Sequence, residues 1–93
     1  MDEEKIYKKM KTKVLFFSAW WCKGCLDMRQ PFYDEAKRNG LKYDLIDVDS
    51  EEGAELSCKY DVKSVPTLLF LKGDKIIGRE KGNNSYKKIR RYV

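Results

Sequence analysis

Val14-Leu15-Phe16-Phe17, followed after Ser18-Ala19 by Trp20-Trp21-Cys22-Lys23-Gly24-Cys25, is the stretch on which the fold turns. Four consecutive apolar residues at strand length read as a strand covered on both faces. Lys23-Gly24 turns the chain into a helix from Cys25 to about Asn39, where Met28, Phe32 and Ala36 recur every four residues on one buried face. Asn39-Gly40 suits the end of that helix. The two cysteines therefore sit between a buried strand and a helix N-terminus, where unpaired N–H groups and the macrodipole favour a thiolate. Lys23 adds a positive charge. Two intervening residues let the sulfurs meet across one turn, so a mixed disulfide at Cys22 can be resolved by Cys25. Cys22 reads as the exposed nucleophile and Cys25 as the more buried resolving thiol.

Outward from this stretch, Lys5 to Lys11 could form a short amphipathic helix with Ile6, Tyr7 and Met10 on one side, and residues 1–12 read as an N-terminal extension or helix. Leu41 to Val48 reads as a second strand, with Leu45, Ile46 and Val48 as its apolar content. Asp49 and Glu52 have the spacing of a capping box and open a short helix towards Tyr60. Val65-Pro66-Thr67-Leu68-Leu69-Phe70-Leu71 is a third strand with a proline near its start. Lys72-Gly73-Asp74-Lys75 has hairpin composition, so Ile76-Ile77 pairs antiparallel with the strand before it. Gly82-Asn83-Asn84-Ser85 is a loop ending in good helix caps, after which Tyr86, Ile89 and Val93 fall on one face of a final helix. Parallel strands joined through a helix need a right-handed crossover, and the hairpin adds an antiparallel edge. The expected fold class is α/β: a central mixed sheet of about four strands with helices on both faces, in one domain over residues 1–93.

The 93 residues carry 20 Lys+Arg against 15 Asp+Glu, a formal charge of +5. Such an excess can attract nucleic acid or acidic surfaces. Here the basic residues are mixed with acids almost everywhere, and the one cluster, Lys87-Lys88-Ile89-Arg90-Arg91, reads as a solvated helix face. No nucleic-acid partner is expected. Nor is a membrane, since residues 1–13 are mostly charged, show no signal peptide, and precede an apolar run too short to span a bilayer. A reducing cytoplasm is then the default compartment, where closely spaced cysteines are catalytic or metal-binding rather than structural. Structural zinc takes four Cys or His ligands. With three cysteines and no histidine, such a site would need a carboxylate or a second chain, and no metal is expected.

Trp21-Cys22-Lys23-Gly24-Cys25, together with Val65-Pro66-Thr67, resembles the thioredoxin family, in which the proline lies as far past the second cysteine as here (66 − 25 = 41). The likeness covers roughly residues 12–93. It implies a thioredoxin-like thiol–disulfide oxidoreductase that reduces protein disulfides through Cys22 and Cys25, with a redox-active Cys22–Cys25 disulfide and no other cofactor. It also implies a cis Val65–Pro66 bond beside Cys22, and a Val65 backbone that hydrogen-bonds an extended substrate by strand addition. Trp21 would shield the disulfide and wall the groove, Lys23 and Gly24 would line it, and Gly82 would allow close approach of the partner. Disulfide-containing proteins and a recycling reductase or small thiol are the implied partners of a cytoplasmic monomer. A glutaredoxin-like reductase coupled to glutathione is an alternative, as is a binding module on the same fold, although that module has no need of intact cysteines and Pro66.

The chain departs from the family in three places. Many thioredoxins bury an Asp six residues before the first cysteine and a Lys in the next strand; Phe16 and Leu45 stand there instead. Proton transfer must then use water or another group, with Asp27 the nearby candidate. Lys23-Gly24 replaces Gly-Pro, which should stabilise the reduced thiolate and bring the potential from thioredoxin's ~−270 mV towards the ~−200 to −230 mV of glutaredoxins. Pro31 falls six residues after Cys25 rather than five, where a helix kink is expected. From the short N-terminus the usual first strand is expected to be missing, for a more glutaredoxin-like outline. Cys58 reads as a small buried or half-buried apolar residue, with a regulatory or dimer-forming thiol as the other reading, and Trp20 as packing or groove rim.

Overall fold

A computed structural model describes residues 11–93, so the helix expected to carry Ile6, Tyr7 and Met10 lies outside the described residues. Among those residues the chain runs β1 (Lys13–Ser18), α1 (Lys23–Arg38), β2 (Lys42–Asp47), α2 (Glu51–Lys59), β3 (Thr67–Lys72), β4 (Lys75–Lys81) and a C-terminal 3-10 helix (Ser85–Tyr92). The strands form one mixed sheet in the order β2-β1-β3-β4. β1 is parallel to β2 and antiparallel to β3, which is antiparallel to β4.

Alternation along β1 explains its continuous apolar run. Val14 and Phe16 join Met28, Phe32 and Ala36 of α1 and Ile89 of the 3-10 helix in one core. Leu15 and Phe17 point the other way, into a second core with Leu69 and Leu71, against which Ile46, Leu56 and Tyr60 pack. A strand that feeds a core on each face reads as a near-continuous apolar run. Phe16, at the centre, meets Phe32 edge-on with ring centroids 4.9 Å apart.

Helix α1 is closed by a Schellman motif: Leu41 N–H donates to the Ala36 carbonyl at 2.8 Å and Gly40 N–H to that of Lys37 at 3.2 Å. Gly40 supplies the left-handed conformation (φ +61°) that the motif requires. The helix continues through Pro31, which offers no N–H to the Asp27 carbonyl one turn earlier.

Three expectations are corrected. Helix α2 is capped by Ser50, not by an Asp49/Glu52 box: the Ser50 hydroxyl accepts from Gly53 N–H at 2.9 Å. Glycine at the third helical position has no side chain to reach back, and the Asp49 carboxylate is engaged elsewhere. Ser50→Ala should therefore cost about 1 kcal/mol in urea unfolding, whereas Asp49→Ala should leave the cap intact; equal losses from both would restore the box. Cys58 is exposed. It sits two residues, about 200° around the helix, from inward-facing Leu56. The final helix has 3-10 geometry, whose three-residue repeat brings Tyr92 rather than Val93 onto the face of Tyr86 and Ile89. Val93 is 57% exposed, while Tyr92 stacks on Phe70 at 4.1 Å.

Candidate active site

Cys22 is the N-cap of α1. Its backbone is extended (φ −89°, ψ 103°), and its sulfur accepts a hydrogen bond from Cys25 N–H at 3.1 Å. Helix propagation begins at once, with Leu26 N–H donating to the Cys22 carbonyl at 3.1 Å. The two Cα atoms lie 5.2 Å apart and the two sulfurs are bonded. Cys25 is wholly buried and Cys22 retains 9% of its surface. The order of accessibility is the expected one, but Cys22 is far less open than an exposed nucleophile, because it packs in the core beside Ala19 and Met28.

The expected groove residues are only partly brought together. Trp21 is 58% exposed, and its indole N–H donates to the Asp49 carboxylate at 2.9 Å. Trp21 and Val65 line the same hollow of about 340 Å³, completed by Val48, Ala54, Val62 and Lys63. A separate acidic hollow of about 410 Å³ lies along β2, and neither hollow is lined by a cysteine. The Val65–Pro66 peptide bond is cis. Among the described residues Val65 makes no backbone hydrogen bond, while the Pro66 carbonyl accepts from Gly82 N–H at 3.0 Å. Gly82 adopts φ +97°, a backbone state that side chains rarely tolerate. Trp20, 74% exposed, does not pack in the core.

Lys23 stands apart from this group. It is exposed and pairs with Asp27, one turn along the helix, at 3.3 Å. That pairing also holds Asp27 on the solvent side of α1, away from buried Cys25, so Asp27 is not placed to take its proton. Phe16 and Leu45 are cross-strand partners in the β1–β2 ladder, so neither an acid nor a base stands at either position. Two contacts escaped the sequence reading. Asp49 was legible only as a helix cap, although an acid beside a strand end can equally meet an indole N–H. Asn83 carried no signal beyond turn composition, yet its side chain lies over Gly24. Among the described residues no cluster of His, Cys, Asp or Glu could hold a metal ion, and no helix is long and apolar enough to cross a membrane.

Comparison with known proteins agrees with this arrangement. The family model described as Thioredoxin matches residues 3–93. Thioredoxin H5 of Oryza sativa subsp. japonica is 37% identical over 84 residues, covering 87% of this chain and 59% of that protein. Thioredoxin H9 of Arabidopsis thaliana is 40% identical over 76 residues, 80% of this chain and 52% of the relative. The chain thus spans little more than half the length of these two plant relatives. The X-ray structure of Fasciola hepatica thioredoxin superimposes with a TM-score of 0.80 at 31% identity, over 98% of this chain and 90% of that one.

Proposed function

The chain belongs to the thioredoxin family, and from that premise we propose that it is a protein-disulfide reductase working through Cys22 and Cys25. The observation that carries the reading is the N-cap cysteine, 9% exposed, bonded to a wholly buried partner one turn away. In the reduced protein the Cys22 thiolate attacks one sulfur of a partner's disulfide, and the other partner sulfur leaves as thiolate. Cys25 then gives up its proton and attacks the Cys22 sulfur. The second partner thiol is released and the Cys22–Cys25 disulfide closes, so two electrons have passed to the partner. A reductase or small thiol returns them; the sulfurs carry the chemistry without a cofactor.

The partner segment docks in extended form on the unpaired Val65 backbone, with the hollow between Trp21 and Val65 receiving a side chain. The Trp21–Asp49 bond fixes the wall of that hollow. Gly24 forms the floor beside the sulfurs and Gly82 the opposite rim, while Lys23, paired with Asp27, stands outside them. The reducing cytoplasm is the compartment in which such a dithiol would act, as a monomer. No observation favours coupling to glutathione. The reading is tested by insulin reduction with dithiothreitol as electron source, which wild type should catalyse and Cys22→Ser should not.

The potential is a second test. With Lys23 beside Cys22 and glycine in place of proline, equilibration against a glutathione buffer should give roughly −200 to −230 mV, less reducing than thioredoxin at ~−270 mV. A value below thioredoxin's would overturn the expectation that Lys23-Gly24 stabilises the reduced thiolate.

A further inference from the structure

Resting on the reductase reading, we propose that the Asn83 carboxamide is a specificity-determining contact for protein substrates, hydrogen-bonding the backbone of the segment that carries the attacked disulfide. A Cβ placed on Gly24 would fall 2.7 Å from Asn83 Cγ and 2.9 Å from Nδ2, and closer still to Oδ1. The second residue of α1 thus has no side chain of its own. The carboxamide occupies that place, directly over the turn joining Cys22 to Cys25.

The loop is held in position from both flanks. On one side Gly82 N–H donates to the Pro66 carbonyl at 3.0 Å. On the other, buried Ser85 donates its N–H to the Gly82 carbonyl at 3.1 Å and its hydroxyl to the Met28 sulfur of α1 at 3.4 Å. Between these anchors the Asn83 side chain is exposed and, among the described residues, has no hydrogen-bond partner. An amide offers two donors and an acceptor. An extended segment lying on the Val65 backbone has its own second edge of N–H and C=O groups, and those are what an amide at the opposite rim can satisfy. A small disulfide without a peptide backbone has none to offer.

The test compares second-order rate constants of the pre-reduced protein with insulin and with bis(2-hydroxyethyl) disulfide. Asn83→Ala removes the amide. Gly24→Ala leaves it in the chain but displaces it from its seat, and alanine suits a helix better than glycine, so folding is not at risk. Each should lower the insulin-to-small-disulfide ratio about 3- to 10-fold, the effect of one hydrogen bond. The double variant should lose no more than either single one, because both remove the same contact. Asn84→Ala, one residue along and without a side-chain capping bond, should keep the wild-type ratio. An unchanged ratio in Asn83→Ala overturns the proposal, as do two rate constants that fall in step, which would mark a structural role. Wild type that reduces the small disulfide but not insulin would sink the parent reading instead.

Discussion

Serine at position 22 is expected to bring insulin reduction down to background, a loss of ~10³-fold or more, while serine at position 25 should leave the first attack intact and stop the second. The asymmetry follows from burial. Cys25 has no exposed surface and donates its N–H to the Cys22 sulfur, so a partner's disulfide can reach only Cys22. Without Cys22 nothing attacks. Without Cys25 the mixed disulfide forms and persists, since the resolving thiol one turn inward is gone. Mass spectrometry under non-reducing conditions should then find the Cys25→Ser protein carrying its partner chain, and the Cys22→Ser protein without one. Turnover by Cys22→Ser, or an adduct on that variant, would reverse the two roles.

The largest stability effect is expected at Phe16. Its ring has no exposed surface and meets Phe32 edge-on in the core below the cysteine turn. Phe16→Ala should cost about 3–5 kcal/mol, the lost transfer free energy plus the cavity left behind. For a domain of this size each kcal/mol lowers Tm by about 4–8 °C, so the whole effect is tens of degrees. Phe16→Leu refills much of the volume and should cost about 1–2 kcal/mol, which keeps the comparison measurable if the alanine variant does not fold. Urea midpoints should fall at constant slope. Losses below about 1 kcal/mol for the alanine variant would mean that the space beneath the cysteines collapses freely, and that the phenylalanine is not what holds it.

Most of the architecture was legible because its signals are local and redundant. The unbroken run Val14–Phe17, the four-residue recurrence of Met28, Phe32 and Ala36, and the Lys72-Gly73-Asp74-Lys75 turn each allow one reading, and the described residues adopt it. The cysteine turn was legible for the same reason: position between strand and helix fixes the N-cap. Failures occurred where several residues of one chemical kind compete. Asp47, Asp49 and Ser50 can all cap a helix, and a contact distant in sequence, the Trp21 indole, draws Asp49 away. At the C-terminus the difference between repeats of 3.6 and 3.0 residues decides between Val93 and Tyr92, and no composition signal separates them. The seat of Asn83 on Gly24 joins positions 59 apart (83 − 24 = 59) and required the folded chain.

The hydrogen bond from Gly82 to the Pro66 carbonyl bears on which disulfides such a site can choose. Two loops that would otherwise fluctuate separately are already fixed, so the entropy of ordering the groove is spent during folding and not at encounter. The incoming segment must supply the rest, at about 1–2 kcal/mol per residue immobilised. A stiff segment with another shape cannot conform, and a long floppy one loses too much freedom. Selection would then run by local backbone state: disulfides in short segments already extended, at strand edges or stretched loops, are the ones this groove discriminates in favour of, whatever the identity of the protein that presents them.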